Sequence, residues 1–141
     1  MKTPENDGAI IALQETVLVV DDEVLVRMVI GAYLRDCGYR VIEAASADEA
    51  MLVIEQDKEG VVSVVLTDVE MPGERDGFAL AQWIRQRRPG CEVILAGTPA
   101  RAADAAGDLC EQGPMLSKPY EPQVVLDRIR RLLTLRRPPP R

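Results

Sequence analysis

The chain has 141 residues, a formal net charge of −6, 47% hydrophobic, 28% charged and only 4% aromatic residues. That length and balance exclude a disordered chain and suit one compact domain with an aliphatic core. No apolar run approaches the ~20 residues of a spanning helix, and the opening MKTPENDG lacks the apolar stretch of a secretory signal.

Residues 1–15 carry Pro4, Asn6, Asp7 and Gly8 and predict a flexible leader, with at most a short helical piece over Ile10–Leu13. Thr16–Val20 (TVLVV) is a short β-branched run, the mark of a strand buried on both faces, and it ends in Asp21, Asp22 and Glu23. A helix follows, with Val24, Met28, Tyr33 and Cys37 near one stripe and Gly38 at its C-terminal end. Tyr39–Ala44 predicts a second strand. Ser46 with Glu49 three residues on is a capping box opening a helix through Gln56, and Gly60 closes that segment.

Val61–Thr67 (VVSVVLT) is the most strand-like run, and Asp68 follows it. VEMPGERDG reads as a loop because of Pro72, Gly73 and Gly77. The spacing then predicts a helix over Phe78–Arg88, with Phe78, Leu80, Ala81, Trp83 and Ile84 as its apolar positions, broken by Pro89-Gly90. Glu92–Ala96 predicts a fourth strand, Ala100–Cys110 an alanine-rich helix weakened by Gly107, and Met115–Ser117 a short fifth strand. After a turn at Lys118-Pro119, Val124–Leu135 predicts a last helix with Val125, Ile129, Leu132 and Leu133 on one face.

The Arg/Pro-rich tail over 136–141 cannot continue that helix. Residues 127–141 hold six Arg against Asp127 alone, leaving 11 basic and 22 acidic groups in the rest. So acidic a body is unlike a nucleic-acid binder, and the arginines suit the negative pole of a helix. The cysteines, Cys37, Cys91 and Cys110, are odd in number and form no CxxC. They read as reduced thiols of a cytoplasmic protein, and the absence of histidine argues against zinc and excludes Ser-His or Cys-His nucleophiles.

Five strand–helix repeats imply an α/β fold, a doubly wound parallel sheet with helices on both faces. In such sheets the ligand site lies beyond the carboxyl ends of the strands. Those ends carry Asp21 and Asp22, Asp68, Gly97 and Thr98, and Lys118. Singly each has an ordinary explanation: Asp22 as a helix cap, Asp68 as a turn former. Jointly they put three carboxylates side by side, which requires a compensating cation. A hard divalent ion fits oxygen ligands, and Mg²⁺ fits best because it needs few protein ligands. A carboxylate beside Mg²⁺ and Lys118 is equipped to attack a phosphoryl group.

The segments VLVVDDE (17–23), VVLTDVEMPGERDGFALA (64–81), VILAG (93–97) and LSKPY (116–120) resemble the receiver domain of two-component response regulators. The resemblance covers residues 16–135. It implies a flavodoxin-like five-stranded parallel sheet in the order 2-1-3-4-5 with five helices. By the same resemblance Asp68 is the phosphoacceptor, Asp21, Asp22, Asp68 and the backbone carbonyl of Glu70 hold Mg²⁺, and Lys118 contacts the phosphoryl group.

Two positions depart from the family pattern. Receivers usually place Thr or Ser at the end of the fourth strand; here Gly97 aligns there without a gap, and Thr98 reaches it only through a bulge. An aromatic residue often precedes the lysine by three positions; here it is Met115. The resemblance therefore implies intact phosphorylation chemistry, with both usual relay side chains missing or displaced. Glu70, near the expected path of attacking water, is a candidate for setting the acyl-phosphate lifetime.

With only a short tail beyond residue 135, the expectation is a stand-alone receiver, phosphorylated by a histidine kinase or histidine phosphotransfer protein. It would signal by partner binding or phosphorelay, with no nucleic-acid or membrane partner and no enzymatic activity beyond its own phosphoryl transfer and dephosphorylation. A degenerate receiver that binds proteins without phosphorylation is the alternative. A phosphatase using an aspartyl nucleophile is weaker, because the chain lacks a cap segment to exclude water.

Overall fold

The computed structural model describes residues 15–71, 73–97 and 115–136. Strands β1 (Thr16–Val20), β2 (Arg40–Ala44), β3 (Val62–Asp68), β4 (Glu92–Gly97) and β5 (Leu116–Ser117) form one parallel sheet in the order β2-β1-β3-β4-β5. Helices α1 (Val24–Asp36), α2 (Ala47–Gln56), α3 (Gly77–Arg87) and α4 (Pro122–Arg136) cover its faces. The expected doubly wound, flavodoxin-like architecture is therefore present. The helix expected over 100–110, Thr98, and nearly all of the expected leader and tail lie outside the described residues.

The central strands are buried from end to end because both faces are covered. Their alternation sorts side chains into two cores. Leu18, Val20, Val65, Val93 and Leu95 pack with Ala50 and Ile54 of α2 and with Leu80 and Ile84 of α3. Val17, Val19, Val64, Leu66 and Ile94 pack with Ile30 and Leu34 of α1 and with Val125 and Ile129 of α4. The pairing of β1 with β3 slips once, between Thr16 and Val17; beyond it the register of β3 with β4 is unbroken to Asp68 and Ala96.

Local signals act where the sequence places them, with small shifts. Ser46 caps α2 by accepting the Glu49 N–H at 3.1 Å, while the Glu49 carboxylate accepts from Ala45 rather than from Ser46. Gly38 takes φ 99° just past α1, a conformation open to glycine. The boundaries of β2, β3, β4, β5 and α3 move by one residue, leaving Val61 exposed outside its strand, and α4 starts two residues earlier than predicted and ends one later.

Of the apolar stripe drawn along α1, Tyr33 and Cys37 pack against the core while the first half does not. Val24 and Met28 are each 53% exposed, and the buried positions are Ile30, Gly31 and Leu34. Asp22 does not cap this helix either: Glu23 occupies the N-cap and makes no side-chain cap bond.

Candidate functional site

Parallel β1 and β3 end side by side, so Val20 pairs with Thr67 and the next residues, Asp21 and Asp68, become neighbours. Asp22 joins them. One carboxylate oxygen from each of Asp21, Asp22 and Asp68 lies within 4.8 Å of the others, with Asp21 and Asp68 buried and Asp22 exposed. From the other side the Lys118 ammonium reaches Asp21 Oδ2 at 2.9 Å, Glu23 Oε1 at 3.1 Å and Asp68 Oδ2 at 3.3 Å. Its three N–H bonds thus have three carboxylate partners. The chain places Lys118 there through its own N–H, which donates to the Gly97 carbonyl at 2.7 Å.

The two buried acids, Asp21 and Asp68, are also held through backbone N–H groups. The Glu23 N–H donates to Asp21 Oδ1 at 2.9 Å, and the Glu70 N–H donates to Asp68 Oδ1 at 3.2 Å. Burial pushes the Asp68 carboxyl above the ordinary aspartate range; the Glu70 N–H and Lys118 oppose this, and the Asp21 charge adds to it. For Lys118, burial alone would lower the pKa, but hydrogen bonds to Asp21 and Glu23 and the nearby carboxylate charges outweigh it and raise it. Tyr120 is pushed up to about 12 by burial and by the negative charge of Asp21. A cleft of about 740 Å³ opens above these groups, lined by Asp22, Asp68, Glu70, Lys118 and Tyr120 and by Leu25 and Val29 of α1.

Gly97 is the last residue of β4, paired in unbroken register with Ser117. Gly97 itself carries no hydroxyl, and Thr98 lies outside the described residues. Met115 is buried among the residues packed between the sheet, α2 and α3.

Two contributors escape a reading of residue types alone. Gly77 opens α3 against the end of β3: a Cβ there would sit 2.3 Å from the Asp68 carbonyl oxygen and 2.7 Å from Val69 Cα. Asp76 caps α3 through the Ala79 N–H at 3.0 Å, which turns the chain into the helix at this point. The Asp-Gly pair in the loop was the available signal. Arg27 is the other contributor; its guanidinium donates to the Asp21 carbonyl at 2.7 Å.

A doubly wound sheet with an acidic cluster and one lysine at its carboxyl rim makes the chain an α/β domain with a candidate ligand site where such sheets bind theirs. The comparisons narrow this to a family. The family model for the response regulator receiver domain matches residues 17–130. Transcriptional regulatory protein ResD of Bacillus subtilis is 31% identical over 117 residues, covering 83% of this chain and 47% of that protein. Transcriptional regulatory protein GltR of Pseudomonas aeruginosa is 33% identical over 123 residues, covering 84% and 48%. Among solved structures, a CheY-like response regulator receiver domain protein from Methanospirillum hungatei superposes with a TM-score of 0.77 at 25% identity, covering 87% of this chain and 96% of that one. A receiver domain protein from Clostridium thermocellum gives 0.76 at 25% identity, covering 85% and 94%. The chain belongs to the response regulator receiver family of two-component signalling. It spans about half the length of the curated relatives it matches.

Proposed function

We propose that this receiver is switched by phosphorylation of Asp68, with Mg²⁺ held by Asp21, Asp22, Asp68 and the backbone carbonyl of Glu70. The observation that carries this reading is the convergence of three carboxylates and the Lys118 ammonium at one rim of the sheet. The donor set fits a small hard cation: all ligand atoms are oxygens, and one is already oriented by a backbone N–H. When bound, Mg²⁺ supplies positive charge to the oxygens of the transferring phosphoryl group.

The chain's own groups do the remainder. An Asp68 carboxylate oxygen forms the new bond to phosphorus as the bond from phosphorus to the donor breaks, and the donor leaves with that electron pair. Lys118 exchanges a carboxylate partner for a phosphoryl oxygen and offsets its charge. Hydrolysis by water later returns Asp68 as the free carboxylate and releases phosphate. The phosphoryl donor is a histidine kinase or histidine phosphotransfer protein. The exposed apolar side of α1 beside the cleft, with Leu25 76% and Val29 61% exposed, supplies a docking face for it. A cytoplasmic location accords with this donor; among the described residues no helix is long and apolar enough to cross a membrane. Output runs through partner binding or onward phosphotransfer.

Incubation with acetyl phosphate and Mg²⁺, read by intact mass, tests the assignment. The wild type gains one phosphoryl group, and Asp68→Asn gains none; equal labelling of the two would sink it.

Gly97 favours a second reading, a receiver that binds partners without phosphorylation, because the last residue of β4 has no side chain to offer a phosphoryl oxygen. Beryllofluoride separates the two. Mg²⁺-dependent uptake of the fluoride complex belongs to the phosphorylated switch, and its absence at millimolar metal to the phosphorylation-independent form.

A further inference from the structure

Asp21 has three backbone-linked tethers. Its N–H donates to the Ala44 carbonyl at the end of β2 at 3.0 Å, its Oδ1 accepts from the Glu23 N–H, and its carbonyl accepts from Arg27 Nη1 at 2.7 Å. The first needs only the main chain, and the second only a backbone N–H and the carboxylate of Asp21 itself. The third depends on a side chain, and that side chain is itself held. Arg27 Nε donates to Glu43 Oε1 of β2 at 3.0 Å, and the Arg27 side chain is only 15% exposed. The other Glu43 oxygen accepts from Arg35 Nη2 at 3.2 Å, two turns further along α1.

Space for this arrangement comes from Gly31, midway between the two arginines on the same side of α1. A Cβ at Gly31 would lie 3.3 Å from Glu43 Oε2 and 3.6 Å from both Arg35 Nη1 and Val41 Cγ1. Glycine is disfavoured inside a helix relative to alanine, so helix propensity does not account for it there. Glu43 fills the space with a carboxylate rather than a methyl group. A guanidinium fork can meet a carboxylate and a carbonyl at once in fixed directions, as an ammonium cannot.

We propose that Arg27, seated by Glu43, is a positioning residue for the metal site. It fixes the backbone of Asp21, and through it the aim of the buried carboxylate that offers a metal ligand. This rests on the reading of Asp21, Asp22 and Asp68 as the Mg²⁺ ligands. Outer partners that orient a ligand typically change metal affinity 10–100-fold when removed. Arg35 shares Glu43 but touches Val41, not the acidic loop, and so provides an internal control.

Magnesium binding is measured by titration calorimetry at a temperature where urea melts show every variant folded. Arg27→Met, which keeps the apolar stem, weakens Mg²⁺ binding roughly tenfold or more; Glu43→Gln weakens it less. Arg27→Lys restores part of the loss, because lysine reaches one partner but not both. Arg35→Met lowers the urea midpoint yet leaves the Mg²⁺ affinity near that of the wild type. Wild-type affinity in folded Arg27→Met, or an equal loss in Arg35→Met, would overturn the positioning role while leaving the metal site intact. A wild type that takes up no Mg²⁺ would overturn the metal-site reading, and this inference with it.

Discussion

At Asp68 the local chemistry is set by neighbours one and two residues along. The Glu70 N–H holds one carboxylate oxygen while the Glu70 side chain stays exposed at the mouth of the cleft. An acid at that point can accept a proton from water attacking the acyl phosphate. Glu70→Asn, which keeps the backbone and a polar side chain, is therefore expected to lengthen the phosphoryl half-life about tenfold, a modest general-base effect. Phosphate release from the labelled protein gives the measurement, and equal lifetimes would discard the role. Gly77 constrains the same residue by space rather than by charge. The clash in Gly77→Ala is with backbone atoms of Asp68 and Val69, which cannot swing aside as a long side chain can. The expected result is a loss of about 2 kcal/mol in urea unfolding and slower labelling of Asp68 by acetyl phosphate. Unchanged stability would show that α3 shifts freely.

Individual elements show what the sequence disclosed and what it withheld. The strands were legible because TVLVV and VVSVVLT have no helical period and end at acids, and the site was legible because parallel strands must bring those ends together. The buried side of α1 was not. Its residues 24–30 are apolar except Arg27, so a helical stripe can be drawn through several faces. The buried side is the one whose Ile30 and Leu34 join Val17, Val19 and Leu66 in the core, and it brings Arg27 to Glu43 of β2, 16 residues along. The role of Asp57 was hidden for a similar reason. It stands at the C-cap of α2, where its carboxylate accepts the Val61 and Val62 N–H groups, each at 2.9 Å. Arg88, just beyond α3, pairs with it and donates to the Ile54 and Asp57 carbonyls at the negative end of α2. Burial alone would raise the Asp57 pKa, but the two N–H groups and Arg88 outweigh it and lower the pKa. A depressed carboxyl contributes stability that is fully present above the ordinary aspartate range and is lost as pH falls through its folded value. Asp57→Ala should cost about 1–2 kcal/mol at neutral pH, since it removes the acceptor of two N–H groups and the charged partner of a partly buried guanidinium. The difference from wild type should shrink on acidification. A gap in urea midpoints that persists with full size at low pH would contradict this account.

Across the whole molecule, the acidic rim sets stability against function. Asp21 and Asp68 are buried together with Asp22 beside them, and one ammonium is shared among Asp21, Asp68 and Glu23. The metal-free fold therefore carries a cost that the unfolded chain escapes: burial first, and the Asp21 charge in addition, push the Asp68 carboxyl upward. A cation that binds only the folded state adds RT ln(1 + [L]/Kd), about 2.7 kcal/mol at a hundredfold excess over Kd. Melting followed by circular dichroism should thus shift upward by several degrees between EDTA and saturating Mg²⁺. Asp68→Asn should act in the opposite sense on the two conditions. It removes a buried carboxylate whose folded pKa is raised, so metal-free stability at neutral pH rises, and it removes a proposed metal ligand, which flattens the response to Mg²⁺. Lys118→Met serves as the complementary case. It leaves the carboxylates without their ammonium, so the metal-free protein weakens while the Mg²⁺-induced gain grows. A Mg²⁺ response identical in wild type, Asp68→Asn and Lys118→Met would mean that the cation acts on the general surface charge of an acidic protein. Responses ordered Lys118→Met above wild type above Asp68→Asn require one rim where the acids, the ammonium and the metal share a single charge balance.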